Sequence, residues 1–105
     1  MEYKSTINVK CSEKKLEASL VKSVKALGGI ALKLYGNMYA GIPDRLIIMP
    51  KGKTYFVELK SEGIAPRKLQ LVRHDELRKM GHEVFVIDTD TKLKDFLKYL
   101  ENEQN

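Results

Sequence analysis

Three side chains able to hydrolyse a phosphodiester between them stand in the middle of this sequence. Asp44 follows Pro43, thirteen residues separate it from Glu58, and Lys60 comes two positions later, which gives the pattern PD…ExK. Asp44, Glu58 and the backbone carbonyl of Leu59 are oxygen donors, the set that a hard cation such as Mg2+ or Mn2+ takes. An ion held there would acidify a water and offset charge growing on the phosphate. Lys60 would orient or deprotonate that water and oppose the same charge. A second ion would need one more carboxylate, and Glu17 is the candidate. As a bare string the pattern is weak: an exposed Glu–Lys pair on a strand contributes under about 1 kcal/mol and needs no function.

The surrounding elements give the pattern its context. Leu46–Met49 and Tyr55–Leu59 are apolar runs flanking Pro50-Lys51-Gly52-Lys53, a β-hairpin signature. The period of two sets Phe56, Glu58 and Lys60 on one face of the second strand, with Glu58 and Lys60 about 6–7 Å apart. Asp44, at the mouth of the first strand, comes within reach of the same patch. Ahead of the hairpin, Ser12 can cap a helix whose apolar residues are Leu16, Leu20, Val24 and Leu27, ending at Gly28-Gly29. Ile30–Tyr35 alternates as a strand, and Gly36–Gly41 is a loop. After it, Pro66 suits the first turn of a helix with Leu69, Val72, Leu77 and Met80 as an irregular stripe. Glu83–Asp88 is a short apolar strand, and Thr91 opens a last helix carrying Leu93, Phe96, Leu97 and Leu100 inward.

The order is α-β-β-β-α-β-α, an α/β fold in one domain spanning 1–105, with a core of about 13–90 and a terminal helix over 91–100. A helix between the third and fourth strands demands a crossover, so the sheet is mixed, with helices packed on it. On spacing alone Glu17 is either a helix-flank glutamate paired with Lys14 or Lys22, or a carboxylate aimed at the Asp44 patch.

Composition narrows the classes of function. The 105 residues carry a formal net charge of +5, a modest lean towards a polyanionic partner. Cys11 is the only cysteine, which excludes an internal disulfide and a thiolate zinc cluster and suits a reducing, cytoplasmic setting. With no histidine near it, Cys11 is not a candidate nucleophile. MEYKSTINVKC has no apolar leader region, and no apolar run approaches the twenty residues of a membrane span.

In LEASLVKSVKALGG (16–29), GIPDRL (41–46), FVELK (56–60), Gln70 and the Leu77–Gly81 helix ending, the chain resembles the VRR-NUC family, virus-type replication-repair nucleases of the PD-(D/E)xK superfamily. The resemblance runs from about Glu13 to Asp88. It implies that Glu17 is the first-helix carboxylate, Asp44 and Glu58 the metal carboxylates, Lys60 the catalytic lysine and Gln70 a support for the site. Small free-standing members resemble Holliday-junction resolvases, which implies a homodimer cutting branched DNA in a phage or bacterial setting. Arg45, Lys51, Lys53, Arg67, Lys68 and Arg73 then become candidate phosphate contacts, and Tyr35 or Tyr39 a platform for a base. His74, one turn after Gln70, and His82 are not needed once Lys60 fills the base role. The rival class is a nuclease-like fold that grips nucleic acid without cutting it; intact Asp44, Glu58 and Lys60 speak against that. A sequence-specific restriction-type enzyme ranks last, since no target-recognition segment is in view.

Overall fold

Ser12 opens the part of the chain that is described, residues 12–105 of a computed structural model. Met1–Cys11, and with it the cysteine, lies outside the described residues. The Ser12 hydroxyl accepts from the Lys15 N–H at 3.2 Å, satisfying one of the donors a helix start leaves over. Helix α1 (Glu13–Ala26) follows and buries Leu16, Leu20 and Val24. Strands β1 (Ile30–Lys33), β2 (Arg45–Ile48) and β3 (Thr54–Leu59) come next, then helix α2 (Lys68–Lys79), strand β4 (Val84–Ile87) and helix α3 (Asp90–Gln104). The sheet order is β1-β2-β3-β4. β1/β2 and β2/β3 pair antiparallel and β3/β4 parallel, so α2 is the crossover that a parallel neighbour requires. The sheet is mixed and the element order is the expected one.

Register divides the side chains between two faces. Ala31, Ile47 and Tyr55 stand in one row across β1, β2 and β3, and Arg45, Val57 and Phe85 in another. These rows point at α1 and α3, whose Leu16, Leu20, Val24, Leu93, Phe96 and Leu100 complete the core. At its β4 end the rings of Tyr55, Phe85, Phe96 and Tyr99 meet edge-on or tilted, with centroids 4.8–6.3 Å apart. The opposite face carries Leu32, Leu46, Phe56 and Val84 in one row. Among the described helices only α2 covers it, and cover thins from Val84, which is buried, to Leu32 and Ile30, which are exposed.

Several boundaries differ from the expected ones. β1 stops at Lys33 rather than Tyr35. Pro66 lies ahead of α2, whose cap is Arg67. α3 starts at Asp90, because the Thr89 hydroxyl and not Thr91 caps it, and it runs on to Gln104. β4 is an edge strand, apolar because α2 and α3 sandwich it. The largest difference concerns α2. Most of its expected apolar stripe does not face inward: Leu69, Val72 and Met80 are exposed, Leu77 is half-buried, and the one fully buried residue of the helix is His74.

Candidate active site

The hairpin register decides which residues meet. Arg45 pairs with Val57 and Leu46 with Phe56, so the turn is centred on Lys51 within the 3-10 segment Pro50–Gly52. One step beyond the paired strands the same register sets Asp44 opposite Glu58, on the same face. Residues directly opposite in an antiparallel pair have Cβ atoms about 4.5–5.5 Å apart, and like charges there are destabilising. The spacing of thirteen residues is therefore the spacing that brings two carboxylates face to face.

Backbone bonds hold the first of them. The Asp44 carbonyl accepts from Leu34 N–H at 2.8 Å, and its carboxylate Oδ2 accepts from Leu59 N–H at 2.8 Å. Pro43 is fully buried behind it. Gly41, at φ +86, lets the preceding loop lie against α2: a Cβ there would sit 2.9 Å from both the Leu69 carbonyl oxygen and its Cγ. No other residue type fits both that backbone and that space.

Glu58 has no exposed surface, and polar side chains meet both oxygens of its carboxyl. Gln70 Nε2 donates to Oε2 at 3.0 Å. The Gln70 amide oxygen accepts from the Arg67 N–H at the head of α2, at 2.8 Å, which fixes which way round the amide stands. Lys60 Nζ lies 3.5 Å from Oε2, and His74 Nε2 lies 3.5 Å from Oε1. Burial first, and then the charge of Asp44 and a hydrogen bond shared with it, push the Glu58 carboxyl up from 4.5 to about 8, against the pull of Lys60. At neutral pH Glu58 thus keeps its proton. Burial, with Arg78 and Lys60 nearby, lowers the His74 imidazole below its usual value, against the opposing pull of Asp44, so His74 is neutral there.

These groups suit a divalent cation. The donors are hard oxygens, and a cation between Asp44 and Glu58 would replace the proton that now offsets their repulsion. Among the described residues no cluster of three or more His, Cys, Asp or Glu forms a cage. Mg2+ does not need one, since it keeps several waters and binds through one or two carboxylates.

Glu17 stands elsewhere. Its Oε2 pairs with Arg45 Nη2 at 2.8 Å and lies 3.9 Å from Lys33 Nζ, so the expected partners Lys14 and Lys22 are not the ones it takes. Arg45 and Lys33 share a row on the α1/α3 face, whereas Glu58 points to the α2 face. Glu17 thus borders the site through the residue after Asp44, from the other side of the sheet.

The candidate phosphate contacts also separate. Lys51 and Lys53 lie at the turn end of the hairpin, roughly 15–20 Å along the strands from Asp44, and bond the Gln104 and Glu103 carbonyls at the end of α3. They complement the negative end of that helix and are not at the site. Arg45 is occupied by Glu17 and by the Ala31 carbonyl. Arg73 donates to the Ala40 carbonyl and to Glu76 and covers the Tyr39 ring at 4.1 Å; Tyr39 also bonds Glu76, so neither is a free platform. Tyr35 is exposed, and Arg67 and Lys68 head the helix beside Gln70. His82 packs its ring edge-on against Phe56. His74 is the site residue that spacing undervalued. Its one signal was the four-residue step from Gln70, which puts both on one helix face.

No family model matches the chain. A solved structure described as a VRR_NUC domain superposes with a TM-score of 0.77 at 32% identity, covering 85% of this chain and 97% of its own. The chain belongs to the VRR-NUC family. A curated relative from Acyrthosiphon pisum secondary endosymbiont phage 1, named "Putative nuclease p44", is 43% identical over 77 residues, 73% of this chain and 83% of that protein. The VRR-NUC plan accounts for the mixed four-stranded sheet with helices on both faces.

Proposed function

We propose that this VRR-NUC nuclease is a divalent-metal-dependent endodeoxyribonuclease. One observation carries the reading: a fully buried glutamate held opposite an aspartate at the rim of the sheet, with a lysine amine 3.5 Å away. Asp44 and Glu58 would hold the ion, joined by the Leu59 carbonyl. Leu59 N–H points at Asp44, and in an extended strand the N–H and C=O of one residue face the same edge. A bound Mg2+ or Mn2+ supplies Lewis-acid charge for the scissile phosphate and acidifies the attacking water. Lys60 orients that water and opposes phosphate charge. Gln70, locked by its own bond to the helix head, keeps Glu58 turned to the ion. Glu17 engages Arg45 and Lys33 through Oε2, so Oε1 is the atom it would offer a second ion.

DNA is the substrate that the fold and the net charge favour, and branched DNA its preferred form. A homodimer suits a two-fold symmetric junction, and the exposed apolar residues Ile30, Leu32, Ile48, Leu69 and Val72 supply the type of surface that subunits bury. In the described residues no helix is long and apolar enough to cross a membrane, and the phage relative agrees with a phage or bacterial setting. The test is a panel of junctions, flaps, duplex and single strands with Mg2+ or Mn2+, with Asp44→Ala and Lys60→Ala alongside and light scattering for the dimer. Each substitution is expected to lower cleavage by about a hundredfold or more, and Asp44→Ala to keep DNA binding. Binding without cleavage in the unaltered protein would favour the silent-binder reading instead.

A further inference from the structure

The imidazole of His74 is 1% exposed and has no part in the chemistry set out above. Helix α2 offers Leu69, Leu71 and Val72 for burial, yet leaves them exposed, half-buries Leu77 and fully buries this one side chain. A helix that only had to cover the sheet would turn its apolar residues in. Burying a polar ring instead is costly, because its Nδ1 has no hydrogen-bond partner among the described residues and an unmet buried polar atom destabilises the fold. The orientation gains something else: Gln70 and His74, one turn apart, both reach Glu58. Gln70 takes Oε2 at 3.0 Å and His74 Nε2 faces Oε1 at 3.5 Å. A neutral imidazole has one N–H, and on Nε2 it would give Oε1 a donor.

We propose that His74 is a positioning residue of the metal site: with Gln70 it grips Glu58 by both oxygens, so the carboxylate meets the ion in one orientation. The proposal rests on the metal-site reading above. It assigns His74 no contact with substrate and no proton transfer. Its effect falls on metal affinity, as for hydrogen-bond partners behind metal ligands generally, whose loss costs about 10–100-fold. The 3.5 Å separation leaves room for the contact to shorten when Glu58 is drawn onto an ion.

The test is Mn2+ binding by titration calorimetry to the metal-free full chain, with His74→Leu and His74→Gln compared. His74→Leu is expected to weaken Mn2+ binding about tenfold or more, and His74→Gln, which keeps a donor at similar reach, to restore most of it. Metal-free melting temperature should move the other way, with His74→Leu equal to or above the unaltered protein because the unmet nitrogen is gone. At saturating Mn2+ the His74→Leu cleavage rate should recover while its half-saturating Mn2+ concentration stays high. Should the leucine variant fail to fold, His74→Met against His74→Gln makes the same comparison. Equal Mn2+ affinity with and without the donor overturns the positioning role and leaves the metal site standing. An unaltered protein that binds no Mn2+ overturns both.

Discussion

Against one face of the sheet α1 and α3 press leucines, a valine and aromatic rings; against the other α2 presses a glutamine and a histidine. The first face is a continuous apolar cluster from Leu16 to Leu100. The second is built around Glu58, with Leu32 and Ile30 left open to solvent at its far edge. The contrast teaches how a small domain divides its labour. Stability comes from the face whose buried contacts are mostly apolar, with the Glu17–Arg45 pair at its margin. The other face carries a buried, proton-holding Glu58 opposite Asp44, an arrangement that costs stability in the metal-free protein and, on the proposed reading, serves to hold a cation.

The contrast is broken most severely from the apolar side. Leu20→Ala is expected to cost about 2–5 kcal/mol of unfolding free energy in urea melts, with Mn2+ affinity of the folded fraction unchanged. If metal affinity fell in step with stability, the two faces would not be separable. Glu58→Gln probes the other side: cleavage should fall about a hundredfold or more, while the metal-free melting temperature at pH 8 stays level or rises. A large fall in that temperature would mean Glu58 is structural.

The pH dependence sharpens the same point with a smaller effect. Glu58, raised from 4.5 to about 8, keeps a proton in the folded protein that the unfolded chain releases. The stability linked to it is whole below pH 4.5 and is lost as pH rises to about 8. His74, lowered from 6.5, works in the opposite sense: its contribution is whole above pH 6.5 and is lost as pH falls. Between pH 6.5 and 8 Glu58 is the shifted group that acts among the described residues, so the metal-free melting temperature should drop across that window and Glu58→Gln should flatten the drop. Calorimetric Mn2+ titrations in buffers of different ionisation enthalpy should also show release of close to one proton at pH 7. The smallest effect belongs to the exposed flank of α2, where Leu71→Lys should change stability by no more than about 0.5 kcal/mol.

How far the sequence discloses this arrangement depends on what fixes each residue. The hairpin was legible because apolar runs and a Pro/Gly turn specify register, and register alone brings Asp44 to Glu58. Lys60 followed from the period of two. The orientation of α2 was not legible, because Leu69, Val72 and Met80 outweigh Gln70 and His74 in any hydrophobic count. Only the needs of Glu58, across the chain, turn the polar side inward. Spacing alone left Glu17 open between two roles and the family resemblance chose the site carboxylate; what neither disclosed is its pairing with Arg45. Arg45 follows Asp44, so it must point to the opposite face, where α1 lies, and strand alternation could have revealed this. Lys51 and Lys53 went astray for a similar reason: the turn of a hairpin is the end away from Asp44 and Glu58.

The most direct measurement is anomalous diffraction from crystals soaked in Mn2+. A single strong peak is expected between the Asp44 and Glu58 carboxylates, within bonding distance of the Leu59 carbonyl, with Gln70 still on Glu58. Well-ordered carboxylates with no peak between them at saturating Mn2+, or a peak bound through other residues, would contradict the metal site at the sheet rim.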